Sequence, residues 1–394
     1  MKYWRGYLTA AVLAAITWGL IELSKKYTTL VDLVYPYLTR TIQNLLVPWT
    51  GTVDFCVWQV IVVILAVILL ATIVLMILFR WNFVQWLGWV LAGAVCLYFL
   101  HTGIYGLNYQ AGPLADDVRL DMTVTSGTPG ELADATIYYR DMANELALQM
   151  SRDGSGDVIF PGFSELAEQA AEGFKTLTYE YSYSVFAGVT DPVKELGWAD
   201  LYTSMGITGV TMPLTGEAAV NPQTPAVAQP FVMCHEMAHR MCIATERDAN
   251  FAAFLTCRVN SSPEFQYSAY LMAYRYCYSA LASLSSAEAA TAAARIATGV
   301  NEYLAHDLNA YSQFFLQNQD DTASKVANSA NDTYIKVSGD ESGTASYGEV
   351  STLLVGWYVQ EIVLPAQKEE AESTFDPYDE TQVDLSGIVG ALED

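Results

Sequence analysis

From Phe55 to Phe79 the chain runs 25 residues without a charged side chain, and few environments accept such a stretch. A hydrocarbon core about 30 Å thick needs roughly 20 apolar residues in a helix, so the run is read as a membrane span. Backbone polar groups inside a bilayer must be paired within their own segment, which makes the span helical. A second run, Phe83 to Leu100, follows after only Arg80-Trp81-Asn82, and the two are predicted to form a hairpin. A third and shorter run, Tyr7 to Ile21, follows Lys2 and Arg5. A basic start before a short apolar run fits either an anchor or a cleaved signal peptide. The anchor is adopted because Lys25-Lys26 and two more spans come next, where a secreted protein would show its mature region.

Residues 1–105 are therefore assigned to the membrane, 106–365 to one further domain and 366–394 to an acidic, disordered tail. Lys2, Arg5 and Arg80 place the N-terminus and the hairpin turn on the cytoplasmic side, while Lys25, Lys26 and Arg40 argue the other way. With three spans and the N-terminus inside, the large domain is expected outside the cytoplasm. Between the first two spans, Tyr27, Leu30, Leu33, Val34, Tyr37, Leu38, Ile42, Leu45 and Leu46 recur at helical spacing, interrupted by Pro36. That pattern reads as an amphipathic segment at the membrane surface or packed on the spans.

The formal charge of −24 lies mostly beyond residue 101 and excludes a nucleic-acid binder, which needs clustered Lys and Arg against phosphates. Cys56 and Cys96 fall in predicted spans. Cys234, Cys242, Cys257 and Cys277 match no zinc-ribbon spacing, read as small buried apolar residues, and support no committed disulfide. Helical periodicity dominates the domain, at about 131–150, 163–176, 247–259, 263–284, 287–318, 322–336 and 346–363, the fifth opening on a Ser285-x-x-Glu288 capping box. Tyr202 to Pro222 differs, alternating Gly, Thr and Val with turn residues, and is predicted extended. The fold expected is mainly α, with membrane helices followed by a mostly helical zincin-like domain and a small strand region before one decisive helix.

That helix carries His-Glu-Met-Ala-His at 235–239, using two of the chain's four histidines. Residues i and i+4 share a helix face, so His235 and His239 can bind one Zn²⁺ while Glu236 turns toward the remaining coordination position. The pentad alone also occurs in helices that bind nothing. Here it follows the apolar run Pro230 to Cys234, and burying two histidines and a carboxylate is costly without a metal or hydrogen bonds to compensate.

A catalytic zinc takes three protein ligands and keeps one position for water. Glu246, seven residues beyond His239, is the candidate third ligand. On a continuous helix it would lie about 10.5 Å farther along, so the chain must turn between about Met241 and Thr245 and bring Glu246 back on a second helix. The competing reading is a carboxylate at a helix N-terminus, favoured by the dipole. Glu246-Arg247-Asp248-Ala249-Asn250 is similar to the Glu-x-x-Ala-Asp/Asn segment of zinc peptidases with a glutamate ligand. The resemblance implies that Asp248 and Asn250 support the ligands, Asn250 by bonding a histidine ring nitrogen.

The likeness extends further. Gly106-Leu107-Asn108-Tyr109, Gly206-Ile207-Thr208-Gly209, Pro213 to Glu217, His235 to His239, Glu246 with Ala249-Asn250-Phe251, Tyr334-Ile335-Lys336 and Ser346-Tyr347-Gly348 together resemble a family of bacterial membrane proteins catalogued as a domain of unknown function. Its members carry N-terminal spans followed by an HExxH domain, and the likeness covers about residues 20–360. The family tends to have glycine where Cys242 stands, which suits a left-handed helix cap. The turn is accordingly expected to be built differently here.

The function expected is a membrane-anchored, zinc-dependent metallopeptidase in which Glu236 takes the water proton and passes it to the leaving amine. His306, Tyr347, Tyr334 and Arg275 are candidate oxyanion donors in no order, and Glu217 either orients substrate or ends a turn. The partners expected are a lipid bilayer and a peptide or protein substrate. The rival readings are a non-catalytic membrane-anchored binding or sensor protein retaining the fold, and a structural envelope protein.

Overall fold

A computed structural model of the protein describes residues 2–338 and 346–374. It is mainly helical. The first four long helices are α1 (Arg5–Lys26), α2 (Thr28–Thr50), α3 (Val57–Leu78) and α4 (Phe83–Ile104). Three of them, α1, α3 and α4, are long and apolar enough to cross a membrane. Their bounds contain the predicted spans, apart from the end residues of the Phe55–Phe79 run, and run past the short N-terminal run on both sides.

α1 and α4 pack closely because two glycines face each other. A Cβ on Gly6 would stand 2.4 Å from the carbonyl carbon of Gly88, the close backbone approach that small residues allow between membrane helices. Both glycines lie near the start of their helices, so α1 and α4 run in the same direction. α3 stands apart, with an 18-residue window that is wholly unburied. α2 corrects one expectation, because Pro36 and Pro48 both sit inside a continuous helix.

The domain that follows contains the short α5 (Leu114–Asp117), α6 (Pro129–Ala147), α7 (Phe163–Tyr179), β1 (Lys194–Glu195), α8 (Ala199–Met205), β2 (Gly209–Met212) and β3 (Glu217–Val220). After these come α9 (Gln229–Arg240), α10 (Glu246–Arg258), α11 (Pro263–Ser283), α12 (Ala287–Ala297), α13 (Glu302–Asn318), α14 (Asp321–Ser338), α15 (Ser346–Tyr358) and α16 (Leu364–Thr374). The stretch read as extended begins instead with α8, and its remainder forms β2 and β3. The sheet order is β1-β3-β2, with β1 parallel and β2 antiparallel to β3, so β2 is an edge. The pattern read as one helix over 287–318 is two: Gly299 falls in the break, and Asn301 caps α13 by accepting from the Leu304 amide at 2.8 Å. Ser286, one residue past the expected box, caps α12.

The core centres on α10, whose residues from Asp248 to Cys257 are all buried. Tyr139 of α6, Phe254 of α10, Tyr270 of α11 and Trp357 of α15 meet there ring to ring. Gly173 lets α7 approach α10 so closely that a Cβ there would sit 2.0 Å from the Thr256 carbonyl oxygen. The acidic segment read as a tail from residue 366 is helical as far as Thr374, and residues 375–394 lie outside the described residues.

Candidate metal centre

α9 opens with Pro230 in its first turn, where a missing amide proton costs nothing, and ends at a left-handed cap. Cys242 has φ +73°. The Ile243 amide bonds the Ala238 carbonyl at 3.1 Å and the Cys242 amide bonds the His239 carbonyl at 2.9 Å, which is the Schellman pattern. The turn is therefore the one glycine would build, with cysteine carrying the strain of about 1–2 kcal/mol that a side chain meets there. Thr245 then caps α10 by accepting from the Asp248 amide at 3.3 Å. Five residues, 241–245, reverse the chain and return Glu246 to the histidines.

His235, His239 and Glu246 each place one ligand atom within 4.8 Å of the others. The His235 and His239 Nε2 atoms are 3.1 Å apart, and Glu246 Oε2 lies 3.2 Å from the first and 3.6 Å from the second. Zinc bonds of about 2.0–2.1 Å at tetrahedral angles hold ligand atoms roughly 3.3 Å apart, so the cluster has the right size. Its chemistry agrees. His239 Nδ1 lies 2.8 Å from the Ile243 carbonyl oxygen, an acceptor that holds a proton on Nδ1 and turns Nε2 toward the cluster. Glu246 Oε2 is buried with both histidine Nε2 atoms within 3.6 Å. Three ligand atoms converging at this spacing could hold a metal ion.

The electrostatics of the bare cluster are correspondingly strained. Burial opposes charge on His239, but the neighbouring Glu246 carboxylate outweighs it and lifts the imidazole to about 9. Burial also opposes charge on Glu246, and the two histidines more than offset it, holding its carboxyl well below the usual range. For Glu236 burial wins and pushes the carboxyl up, against the nearby histidines. Displaced titrations of this kind cluster at functional sites.

Glu236 is 5% exposed and held from the sheet. The Thr211 hydroxyl of β2 lies 2.7 Å from Glu236 Oε2, and a Cβ on Gly209 would come within 2.5 Å of Oε1. Neither Thr211 nor Gly209 was singled out for this role in the sequence, although both stand in the extended block before the motif.

The other expected residues separate. Asp248 accepts from the Leu114 amide at 3.2 Å and from Arg247 Nε at 2.8 Å, tying α10 to α5 and not to the histidines. Asn250 Oδ1 accepts from the Tyr276 hydroxyl at 3.0 Å, and its Nδ2 and His235 Nδ1 are both buried without a hydrogen-bond partner. The implied Asn250–histidine bond is thus absent. Tyr276 was missed because it lies 26 residues from Asn250 on α11 with no spacing signal. Burial pushes its hydroxyl well up, with Glu246 near enough to add to the shift. Arg275 stacks on the Tyr311 ring, 3.8 Å to the centroid. His306 pairs with Asp157 at 2.8 Å on an exposed face. The side chains of Tyr334 and Tyr347 lie outside the described residues.

Glu217 has a different task. Its Oε1 accepts from the Val57 amide at 2.8 Å and its Oε2 from the Trp58 amide at 2.9 Å, and Lys194 Nζ lies 2.7 Å from Oε1. It therefore roots the first turn of α3 in the sheet, an anion at a helix N-terminus. Its side chain is 1% exposed. Removing one partner of a buried pair costs about 3–5 kcal/mol. Glu217→Ala is expected to lower the unfolding midpoint in detergent accordingly, and an unchanged midpoint would show that the carboxylate is not the anchor.

A family described as a protein of unknown function (DUF3810) matches residues 32–355. No curated protein and no solved structure matches the chain.

Proposed function

The chain belongs to the DUF3810 family, whose description assigns no activity, and from the site itself we propose that it is a membrane-anchored zinc-dependent metallopeptidase. The observation that carries this is the convergence of His235, His239 and Glu246 beside a buried Glu236 that takes no part in the cluster. A site that only bound a metal would have no use for that carboxylate.

His235 and His239 would hold Zn²⁺ through Nε2 and Glu246 through Oε2. Bound there, zinc supplies an acidified water and a polarised carbonyl. The chain supplies the rest. Glu236, raised by burial, is suited to take the water proton and later deliver it to the leaving amine, since a base works best when its pKa nears the working pH. The Thr211 hydroxyl fixes one of its oxygens. The free side of the edge strand β2 offers backbone donors and acceptors to an extended peptide, beside the carboxylate that must reach it.

Gly209 keeps this wall close. Gly209→Ala would put a methyl into the Glu236 carboxylate, so turnover is expected to fall at least about tenfold while the zinc content stays unchanged. Kinetics with metal analysis on the same preparation decide it, and full activity would mean Glu236 does not occupy this position when it works.

The placement is multi-pass with the metal domain outside the cytoplasm. The far ends of α1 and α4 and the hairpin turn carry Arg5 and Arg80. Of the opposing basic residues, Arg40 is buried and donates to the Ser184 and Val185 carbonyls at 2.9 and 3.2 Å, which removes it from the count at the membrane surface.

The test is metal analysis with an activity assay on the purified full chain. About one equivalent of zinc, and hydrolysis of an unstructured protein that a chelator stops and zinc restores, is expected. Absence of zinc from protein reconstituted with the metal would end the proposal.

A further inference from the structure

Helix α2 is built inside out. A surface helix of a water-soluble domain buries its apolar stripe and exposes its polar one, whereas in α2 three of the four buried residues, Thr39, Arg40 and Gln43 beside Val47, are polar or charged. Arg40 reaches the Ser184 and Val185 carbonyls, and Gln43 donates to the Pro213 carbonyl at 3.0 Å. Thr50 donates to the Thr215 carbonyl at 3.1 Å, and Thr39 and Asn108 bond each other at 3.2–3.3 Å. On the other side Leu30, Leu33, Val34, Tyr37, Leu38 and Leu45 remain 51–67% exposed. They recur at three- and four-residue spacing on one face, and that face carries no charge.

The chain itself says what lies against this face. α2 follows α1 after the single residue Tyr27 and is joined to α3 by residues 51–56. α1 and α3 are both apolar enough to cross a membrane, so α2 begins and ends where a span leaves the bilayer. Its 23 residues make a rod of about 35 Å whose two ends belong to one membrane face. A helix so tethered, with an uncharged apolar side and a polar side held by protein, fits the headgroup region, where such helices sink about 5–10 Å.

We propose that α2 lies in the plane of the bilayer interface, its Leu30–Leu45 face among the lipids, and forms a floor on which the metal domain rests. The sequence left open whether this segment met lipid or the spans; Tyr35 does reach the Thr102 carbonyl of α4 at 2.8 Å, but the apolar face itself is left exposed, which favours lipid there. The floor touches the framework of the site. Asp32, Pro36 and Arg40 face Met241–Thr245, the turn that returns Glu246, across a cavity of about 240 Å³. Gly216, which closes the turn after β2 with φ +72°, packs so closely on α2 that a Cβ there would stand 3.0–3.2 Å from Val47, Gln43 and Leu46. The placement holds whatever chemistry the site performs.

The test is spin labelling of the full chain in phospholipid nanodiscs, with single labels at Leu33, Leu38 and Leu45 in a Cys96→Ser background. Ser155 in an exposed turn and Leu70 in α3 serve as water and lipid references. Collisions with oxygen relative to a water-soluble nickel chelate are expected to place all three labels between the references. Ratios equal to that of Ser155 would overturn the proposal, and so would exclusion of both probes, which would mean a second copy covers the face. As a check on the unlabelled chain, a phospholipid with a diazirine near its headgroup is expected to form adducts within residues 28–49. Adducts on α3 with none on α2 would likewise reject it.

Discussion

Glu236→Gln is expected to keep the full zinc content and to reduce peptide hydrolysis by about 10²–10⁴-fold, the usual worth of a positioned general base. The two consequences separate because Glu236 is no member of the ligand cluster. Glutamine keeps the shape and can still meet Thr211, whose hydroxyl lies 2.7 Å from Glu236 Oε2, but it cannot accept the water proton. Desolvation argues in the same direction. The carboxylate is buried and its pKa raised, so the neutral amide is the easier group to bury and the variant should fold at least as well as the parent. A stable, zinc-replete protein with unchanged turnover would reject Glu236 as the base. Loss of zinc in this variant would show that the carboxylate holds the metal instead.

Glu246→Ala has the opposite signature. Zinc is expected to fall from about one equivalent to a small fraction, and hydrolysis with it, because two imidazoles alone do not make the three-ligand set of a catalytic zinc. The loss should exceed the roughly 10–100-fold in affinity that supporting residues around a metal cost. The fold should survive, since α10 is held by buried apolar residues from Ala249 onward and by its Thr245 cap, neither of which uses the carboxylate. The comparison is Asp248→Asn, which weakens the tie to Leu114 and Arg247 while leaving all three ligands. That variant is expected to lose stability with its zinc intact. Equal zinc in Glu246→Ala and the parent would mean that another group completes the site.

Much of the site was legible because its signals are local. The i, i+4 histidine spacing needs only a helix, and the demand that the chain reverse before Glu246 followed from helix rise alone. The Schellman cap at Cys242 and the Thr245 cap meet that demand. The cysteine was read as a sign of a different turn, yet the left-handed cap forms with it. Stabilisation from the surrounding helices evidently exceeds the local cost of one side chain at positive φ.

The roles expected of Asp248, Asn250 and Glu217 depended on partners distant in sequence, and there the local pattern misled. Asp248 and Asn250 sit at the spacing of ligand supports, but they bond Leu114 and Tyr276, brought in from 134 and 26 residues away. Glu217 stood before the motif in sequence as a possible substrate contact or turn end, and instead it fastens α3, a helix apolar enough to cross a membrane.

By itself the sequence determined the apolar helices, the predominance of α structure and the three residues that could share a metal. All of these depend on periodicity or composition within one segment, where backbone hydrogen bonding and side-chain spacing leave little choice. Only the tertiary structure decided which face of α2 is covered, which strand is the edge beside Glu236 and which residues hold the ligands. Those are matters of which surfaces meet, and a chain contact between residues far apart in sequence leaves no trace in either one's local pattern.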